Sequence, residues 1–347
     1  MPTSSFDTFF ACTILVAAAL IGTAFLGSTM QTRIVSTQDI NKDSYLKAIA
    51  DHIVTNSGTP TNWGTSSAVP DDFGLAAITS TSPYELDMDK ISRLNSQNNR
   101  SLSYSDMAIA AKLNNIALGI TVSQLMTLNV LQSSNFTVGS ETSFTFAVST
   151  RIDSKPTSAS LHCYIAADNY LNDLTSTVSD TGVGHVTVQI PTAATDNALL
   201  IVFARASIDD RITSYAIYNF AHSTQESTPS STNLALSPLD YTLSFNDSSP
   251  GLTVQNSYVF SYSYQQTITS IQGSQCPIPK LIDKSPLVLL VCGLNGADYF
   301  QDWTAYPQVP LKAGANFDGS EQNVFSYLVT IGGVLYRLDL SLGDVPY

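Results

Sequence analysis

The residue patterns that could carry chemistry are few, and each stops short of a site. Ser44 and Lys47 stand at the Ser-x-x-Lys spacing that sets a hydroxyl one helical turn from an amine, but no companion motif accompanies them. Asn316, Asp318 and Glu321 put oxygen ligands around a tight turn without the length or ligand order of a calcium loop. Gly182 and Gly184 precede a strand-like run rather than a helix, so no helix N-terminus follows them to meet a phosphate. The four histidines, His52, His162, His185 and His222, fall in four different segments, and none is paired at helical metal spacing. A Walker loop, a dinucleotide glycine fingerprint, a nucleophile elbow and an HExxH helix are all absent. The sequence therefore points away from an enzyme. It names no catalytic residue, cofactor, metal ligand or small-molecule substrate, and a secreted hydrolase is only a distant alternative.

The cysteines offer one structural pairing. Cys12 lies in an apolar run and Cys163 in the strand-like LHCYIAA, whereas Cys276 and Cys292 flank a turn-rich stretch. A disulfide between Cys276 and Cys292 is chemically open in an oxidising exterior, but it depends on a Cα separation that spacing does not give. Charged residues make up 12% of the chain and the formal net charge is −13. That charged share is about half of the usual ~25%. The balance argues against nucleic-acid partners and against an electrostatic grip on anionic lipid. A hydroxyl-rich, mildly acidic surface fits a cell-surface or extracellular protein. Sequons at Asn99, Asn135 and Asn246 are candidate glycosylation sites.

The elements that would position all this begin with residues 8–32, which contain no charged side chain. As a helix this run would span roughly 37 Å, enough for a hydrocarbon core of about 30 Å. Three readings are open: a permanent membrane helix, a cleaved secretory signal, and an assembly helix that packs against its copies. The segment ahead of the run, MPTSSFDT, has no Lys or Arg and carries Asp7, which speaks against a conventional signal peptide. Ile34, Tyr45, Leu46, Ile49, Ala50 and Ile53 then give an apolar stripe, and no Pro or Gly occurs between Gly27 and Gly58. One helix from about Ser5 to Asn56 is expected, apolar all round at first and one-sided later. Phe9, Phe10, Ile14, Leu15, Leu20, Ile21, Phe25 and Leu26 would supply its packing surface for membrane insertion and self-association.

The arrangement resembles archaeal type IV pilin-like surface proteins, in which a hydrophobic helix and stalk precede a β-rich ectodomain. The stretches GTPTNWGTSSAVPDDFGLA (Gly58–Ala76) and SPYELDMDKISRLN (Ser82–Asn95) look like segments that follow the N-terminal helix in such membrane-anchored proteins. The resemblance covers roughly the first 120 residues. It implies export and filament assembly through the N-terminal helix rather than catalysis, with Asp7 in the part of the acidic residue near the mature pilin N-terminus. A monomeric membrane-anchored adhesin or receptor-type binding module is the alternative.

Residues 1–57 are thus expected to form the hydrophobic and stalk helix, and 58–127 a turn-rich segment with short helices at Asp87–Asn95 and Tyr104–Ile116. In this segment Trp63 and Phe73 should bury their rings, Asp87 or Asp89 should favour the first helix N-terminus with Arg93 at its end, and Ser103 or Ser105 should cap the second. FTFAV, SASLHCYI, HVTVQI, LLIVFA and SYAIYNF read as strands of an immunoglobulin-like sandwich over 128–222. The polar 223–235 reads as a linker, and 236–347 as a second β domain in which Gly332-Gly333 marks a two-residue hairpin. The fold class is mainly β with a long N-terminal helix.

Overall fold

A computed structural model describes residues 16, 19–21, 23, 25, 42–78, 82–167, 170–194, 197–222, 233–247, 251–268, 274–280, 283–296, 298–317 and 322–344. The chain divides into two compact units, 1–51 and 52–347. In the first, the backbone is helical at the described residues between 16 and 25, where Val16, Leu20, Ile21 and Phe25 are 59–71% exposed. Most of the apolar run 8–32 lies outside the described residues, and among the described residues no helix is long and apolar enough to cross a membrane. A continuous helix, α1 (42–55), carries the second half of the expected stripe: Leu46, Ala50, Ile53 and Val54 are buried, whereas Tyr45 is 56% exposed.

The second unit is built from three β bodies. A five-stranded sheet, ordered β1-β19-β20-β2-β18, forms a base. It comprises β1 (Glu85–Leu86), β2 (Ile116–Gln124), β18 (Leu311–Gly314), β19 (Gln322–Ile331) and β20 (Val334–Asp344), with the short helices α2 (Met88–Ser92) and α3 (Tyr104–Ala110). Asp87 is the N-cap of α2, accepting from the N–H groups of Asp89 and Lys90. Ser103 caps α3 through the Asp106 N–H. Trp63 and Phe73 are fully buried with ring centroids 5.8 Å apart. Gly332 and Gly333, with φ of +57° and +82°, make the β19–β20 turn, a conformation that side-chain-bearing residues reach only with strain.

The other two bodies are inserted between β2 and β18, and they share one strand order. The first has β3 (Met126–Val138), β4 (Glu141–Ile152) and β8 (Val183–Pro191), with the two-residue β5 (Lys155–Pro156), in one sheet. Its other sheet runs β10 (Thr213–Ala221), β9 (Asn197–Ala206), β6 (Ala159–Ala167), β7 (Tyr170–Val178). The second has β11 (Leu234–Leu239), β12 (Thr242–Asp247) and β15 (Gln275–Pro277) against β14 (Gln265–Ile268), β13 (Leu252–Phe260), β16 (Leu287–Asn295) and β17 (Asp298–Tyr306). With β5 set aside, strands one, two and five face strands seven, six, three and four in both bodies. Each pair of sheets closes over its own core: Phe144, Phe146, Leu161, Val186 and Val202 in the first, Leu243, Val259, Cys276, Leu289 and Val291 in the second. This is the immunoglobulin-like sandwich architecture, present twice.

The two sandwiches meet through their four-stranded sheets. Tyr164, Ala166, Leu199, Ile201, Phe203 and Tyr215 of the first pack with Phe260, Val288, Leu290, Cys292 and Ala305 of the second in a continuous buried seam. Strands β9 and β16 are therefore apolar on both faces, one toward their own core and one toward the seam.

Three expectations change. The helix expected over Tyr104–Ile116 ends at Ala110, because Ile116 already opens β2. Residues 236–347 are not one domain: the second sandwich ends at Tyr306, and β18 to β20 return to pair with β2 and β1. For the same reason the turn-rich segment expected over 58–127 belongs with the base sheet through β1 and β2, and its last residues, from Met126, already open β3.

Candidate functional site

A cleft of about 790 Å³ opens where the three bodies meet. Leu199, Tyr215 and Asn219 line it from the first sandwich, Leu236, Gln301 and Trp303 from the second, and Asn95 and Gln97 from the loop after α2. Pairing of β9 with β10 and of β16 with β17 sets the two walls side by side, and the chain leaving Tyr306 for the base supplies Gln308, Val309 and Pro310. The Tyr215 hydroxyl donates to the Val309 carbonyl at 2.6 Å, and burial raises its phenol above the usual range. Its ring meets that of Trp303 edge-on, with centroids 6.5 Å apart at 81°. Trp303 itself is 43% exposed.

The polar groups of the cleft are mostly amides. Gln308 is buried, accepts from Asn98 Nδ2 at 2.8 Å and donates to Thr304 Oγ1 at 3.1 Å, which fixes the floor. Gln301 Nε2 donates to the Ala166 carbonyl at 3.2 Å, bridging the sandwiches, while its Oε1 is buried with no partner. Asn233 accepts from Asn295 Nδ2 at 3.1 Å, and its own Nδ2 is likewise buried without a partner. Among the described residues the one carboxylate lining the cleft is Asp302, whose Oδ2 accepts from the backbone N–H groups of Asn233 (2.8 Å) and Leu234 (2.9 Å). Burial pushes this carboxyl above its ordinary value, against the pull of those two donors. Asp302→Ala leaves both N–H groups without an acceptor, and a loss of about 1–3 kcal/mol is expected for each one that stays buried. Asp302→Asn, which keeps a carbonyl oxygen, should lose much less. Denaturant midpoints of the two variants, read at equal slope, check this; equal midpoints would refute the anchoring role.

Among the described residues the densest group of buried charges lies in the base. Asp89, Lys90 and Arg93, all on or beside α2, are 9%, 0% and 2% exposed. Lys90 Nζ donates to the carbonyls of Ser57 and Ala76, each at 2.7 Å. Arg93 donates to the carbonyls of Trp63, Ala68 and Arg100. These cations satisfy the carbonyls of the turn-rich loop that a compact base must bury. Burial lowers the pKa of both, as expected for cations taken out of water. Their role is architectural.

The residues singled out from the sequence do not gather. Leu20, Ile21 and Phe25 are helical and exposed, while Phe9, Phe10, Ile14, Leu15 and Leu26 lie outside the described residues. Lys47 pairs with Asp51 along α1 at 2.8 Å, not with Ser44. Asp318 and Glu321 lie outside the described residues, and Asn316 accepts from Lys312 at 3.2 Å. His52 meets Asp72 and His162 meets Asp173, in different bodies. Among the described residues no three His, Cys, Asp or Glu side chains cluster at metal-ligating distance. Cys276 and Cys292 are not bridged. Cys276 points into the second sandwich core and Cys292 into the seam, so the two thiols lie on opposite sides of β16. Asn99, Asn135 and Asn246 are all exposed, on the loop after α2, on β3 and on β12.

No protein-family model matches the chain, and no curated protein matches it either. Among solved structures it is similar to a two-domain fibronectin type-III segment of chicken tenascin, at 8% identity over 53% of this chain and 98% of that one, with a TM-score of 0.19. It is similar to the FN1–FN3 domains of chicken CNTN1, at 12% identity over 46% and 62%, TM-score 0.17. It is also similar to HBP35 of Porphyromonas gingivalis, at 11% identity over 57% and 68%, TM-score 0.18. At these scores the sandwich assignment rests on the strand order of this chain alone.

Proposed function

We propose that the chain is a structural protein of the cell surface, a pilin-like subunit that self-associates through its N-terminal helix and displays the two-sandwich head as an extracellular coat. The observation that carries this reading is the exposure of apolar side chains at helical spacing. Val16 and Leu20, and Ile21 and Phe25, are four residues apart, helical and 59–71% exposed, in a run with no charged residue. Such a surface is stable only among lipids or sister helices. Ile14→Asp places a charge in that run at a cost of about 3 kcal/mol or more if the site is apolar. The expected result is loss of ordered surface assemblies under electron microscopy, with the head still folded by circular dichroism. Undiminished assembly would refute the reading.

A second reading, a monomeric membrane-anchored binding module, is favoured by the cleft between the sandwiches. Dispersed full-length particles in detergent, with no helical polymers, would select it over the first.

A further inference from the structure

From its lining we infer that the inter-sandwich cleft is a binding site for a neutral, hydroxyl-rich ligand, a short oligosaccharide, held by side-chain amides and stacked on the exposed face of Trp303. The inference names the ligand class of the binding-module reading and rests on it.

The argument is one of chemistry matched to lining. The cleft, at about 790 Å³, falls within the size range of pockets that hold compact ligands. Among the described residues no Lys, Arg or His lines it, so none of them compensates a phosphate, sulfate or carboxylate ligand. Its one carboxylate, Asp302, is already committed to two backbone N–H groups, which leaves little to attract a cation. What remains is six amide side chains, Asn95, Gln97, Asn219, Asn233, Gln301 and Gln308. An amide presents a donor and an acceptor side by side, and a sugar hydroxyl is both at once. Two of these amides carry the unmet atoms described above, Asn233 Nδ2 and Gln301 Oε1, one a donor and one an acceptor. A buried polar atom without a partner costs free energy, and a side-chain rotation toward a ligand hydroxyl would recover it. Trp303 adds a broad, flat apolar face with 43% of its surface open, steadied from the side by Tyr215. A pyranose ring carries C–H groups on one face and hydroxyls around its rim, the shape and polarity this combination of flat ring and surrounding amides would take.

The chain reports on the site by itself. It has two tryptophans, and Trp63 is fully buried in the base, so collisional quenching by acrylamide reads Trp303. The full chain, in a detergent whose head group is not a sugar, is titrated with neutral gluco-, manno- and galacto-configured oligosaccharides and, separately, with acidic and basic peptides. The expected result is that at least one neutral oligosaccharide protects Trp303 from quenching in a saturable manner. Asn219→Ala and Gln97→Ala, whose side chains bear no part of the cleft's internal bonding described above, should each weaken that binding about tenfold while leaving the unfolding midpoint in place. Trp303→Phe should remove the ligand-dependent signal and leave that of Trp63. Protection by a charged peptide and by no saccharide would overturn the ligand class and leave the binding-module reading standing. Protection by neither set would overturn both.

Discussion

Phe260→Ala is expected to cost the head about 3–5 kcal/mol and to uncouple the unfolding of the two sandwiches. The Phe260 side chain is fully buried, and its ring lies 5.0 Å from that of Tyr164 across the seam. Tyr164 in turn meets Phe203 edge-on at 6.0 Å, so one truncation opens a void against an aromatic cluster that spans both bodies. Each sandwich keeps its own core, which lies on the other face of the same sheets. The wild-type chain should therefore melt through one coupled transition and the variant through two. Val138→Ala, at an edge-strand position 69% exposed, is the control and should change stability by no more than about 0.5 kcal/mol. A single unshifted transition for Phe260→Ala in denaturant would show that the coupling of the sandwiches does not depend on the Phe260 contact. The seam's rim has a polar clamp as well. Arg205 of β9 donates to Asp283 at 2.7 Å and lies over the Tyr262 ring at 3.9 Å. Burial would raise the Asp283 carboxyl, but the hydrogen bonds from Arg205 and Ser263 outweigh it and hold it below its ordinary value. A group depressed in this way stabilises above its unfolded pKa and loses that contribution as the pH falls through the folded one, so strong acid loosens the clamp.

Much of this was legible in the residues themselves. Gly332-Gly333 between two apolar runs points to a two-residue hairpin, and Ser103 and Ser105 offer an N-cap, of which the structure uses Ser103. Trp63 and Phe73, set among Gly, Pro and Asp, had few ways to avoid water except burial. LLIVFA and LVLLVC also carried a signal: an uninterrupted apolar run has no wet face, and each is now seen to fill a core on one side and the seam on the other. The sandwich repeat was hidden because two sheets of one topology need only alternation, turns and volume, not a shared sequence. The return of β18 to β20 to the base was hidden because strand pairing across the whole insertion leaves no local trace. DMDKISRLN reads as a short helix, but nothing in it announces burial, because Asp, Lys and Arg are almost always wet. It is instead buried, and its charges serve the carbonyls of a loop some 14 to 33 residues away in sequence. The amides of the cleft come from three bodies and share no motif.

Asp89→Ala is expected to cost about 2–4 kcal/mol, because it leaves two buried donors without an acceptor. Asp89 Oδ1 accepts from the Tyr306 hydroxyl at 2.6 Å and from the Asp240 N–H at 2.8 Å, so one carboxylate on α2 ties the base to the end of β17 and to the β11–β12 turn. Burial raises the Asp89 carboxyl, with the Tyr306 and Asp240 hydrogen bonds opposing the rise, and the Tyr306 phenol is pushed up by burial and by that carboxylate. Here the sign is opposite to that of Asp283. The folded chain holds the Asp89 proton more tightly than the unfolded chain does. Stability therefore falls as the pH rises from the ordinary carboxylate value through the raised one, and ionisation is a cost carried at neutral pH. Asp89→Asn keeps a carbonyl oxygen for the two donors that share Oδ1 and removes the ionisation, so its unfolding midpoint should lose the part of the acid-side slope that Asp89 supplies. Because Asp302 contributes a slope of the same sign, the comparison is the difference between wild type and variant rather than either curve alone. A variant curve parallel to wild type would mean that Asp89 does not titrate against folding. A Tyr306→Phe, Asp89→Asn cycle then isolates the tie itself: a coupling above about 0.5 kcal/mol is expected for groups in direct contact, and additivity would leave α2 held by packing alone.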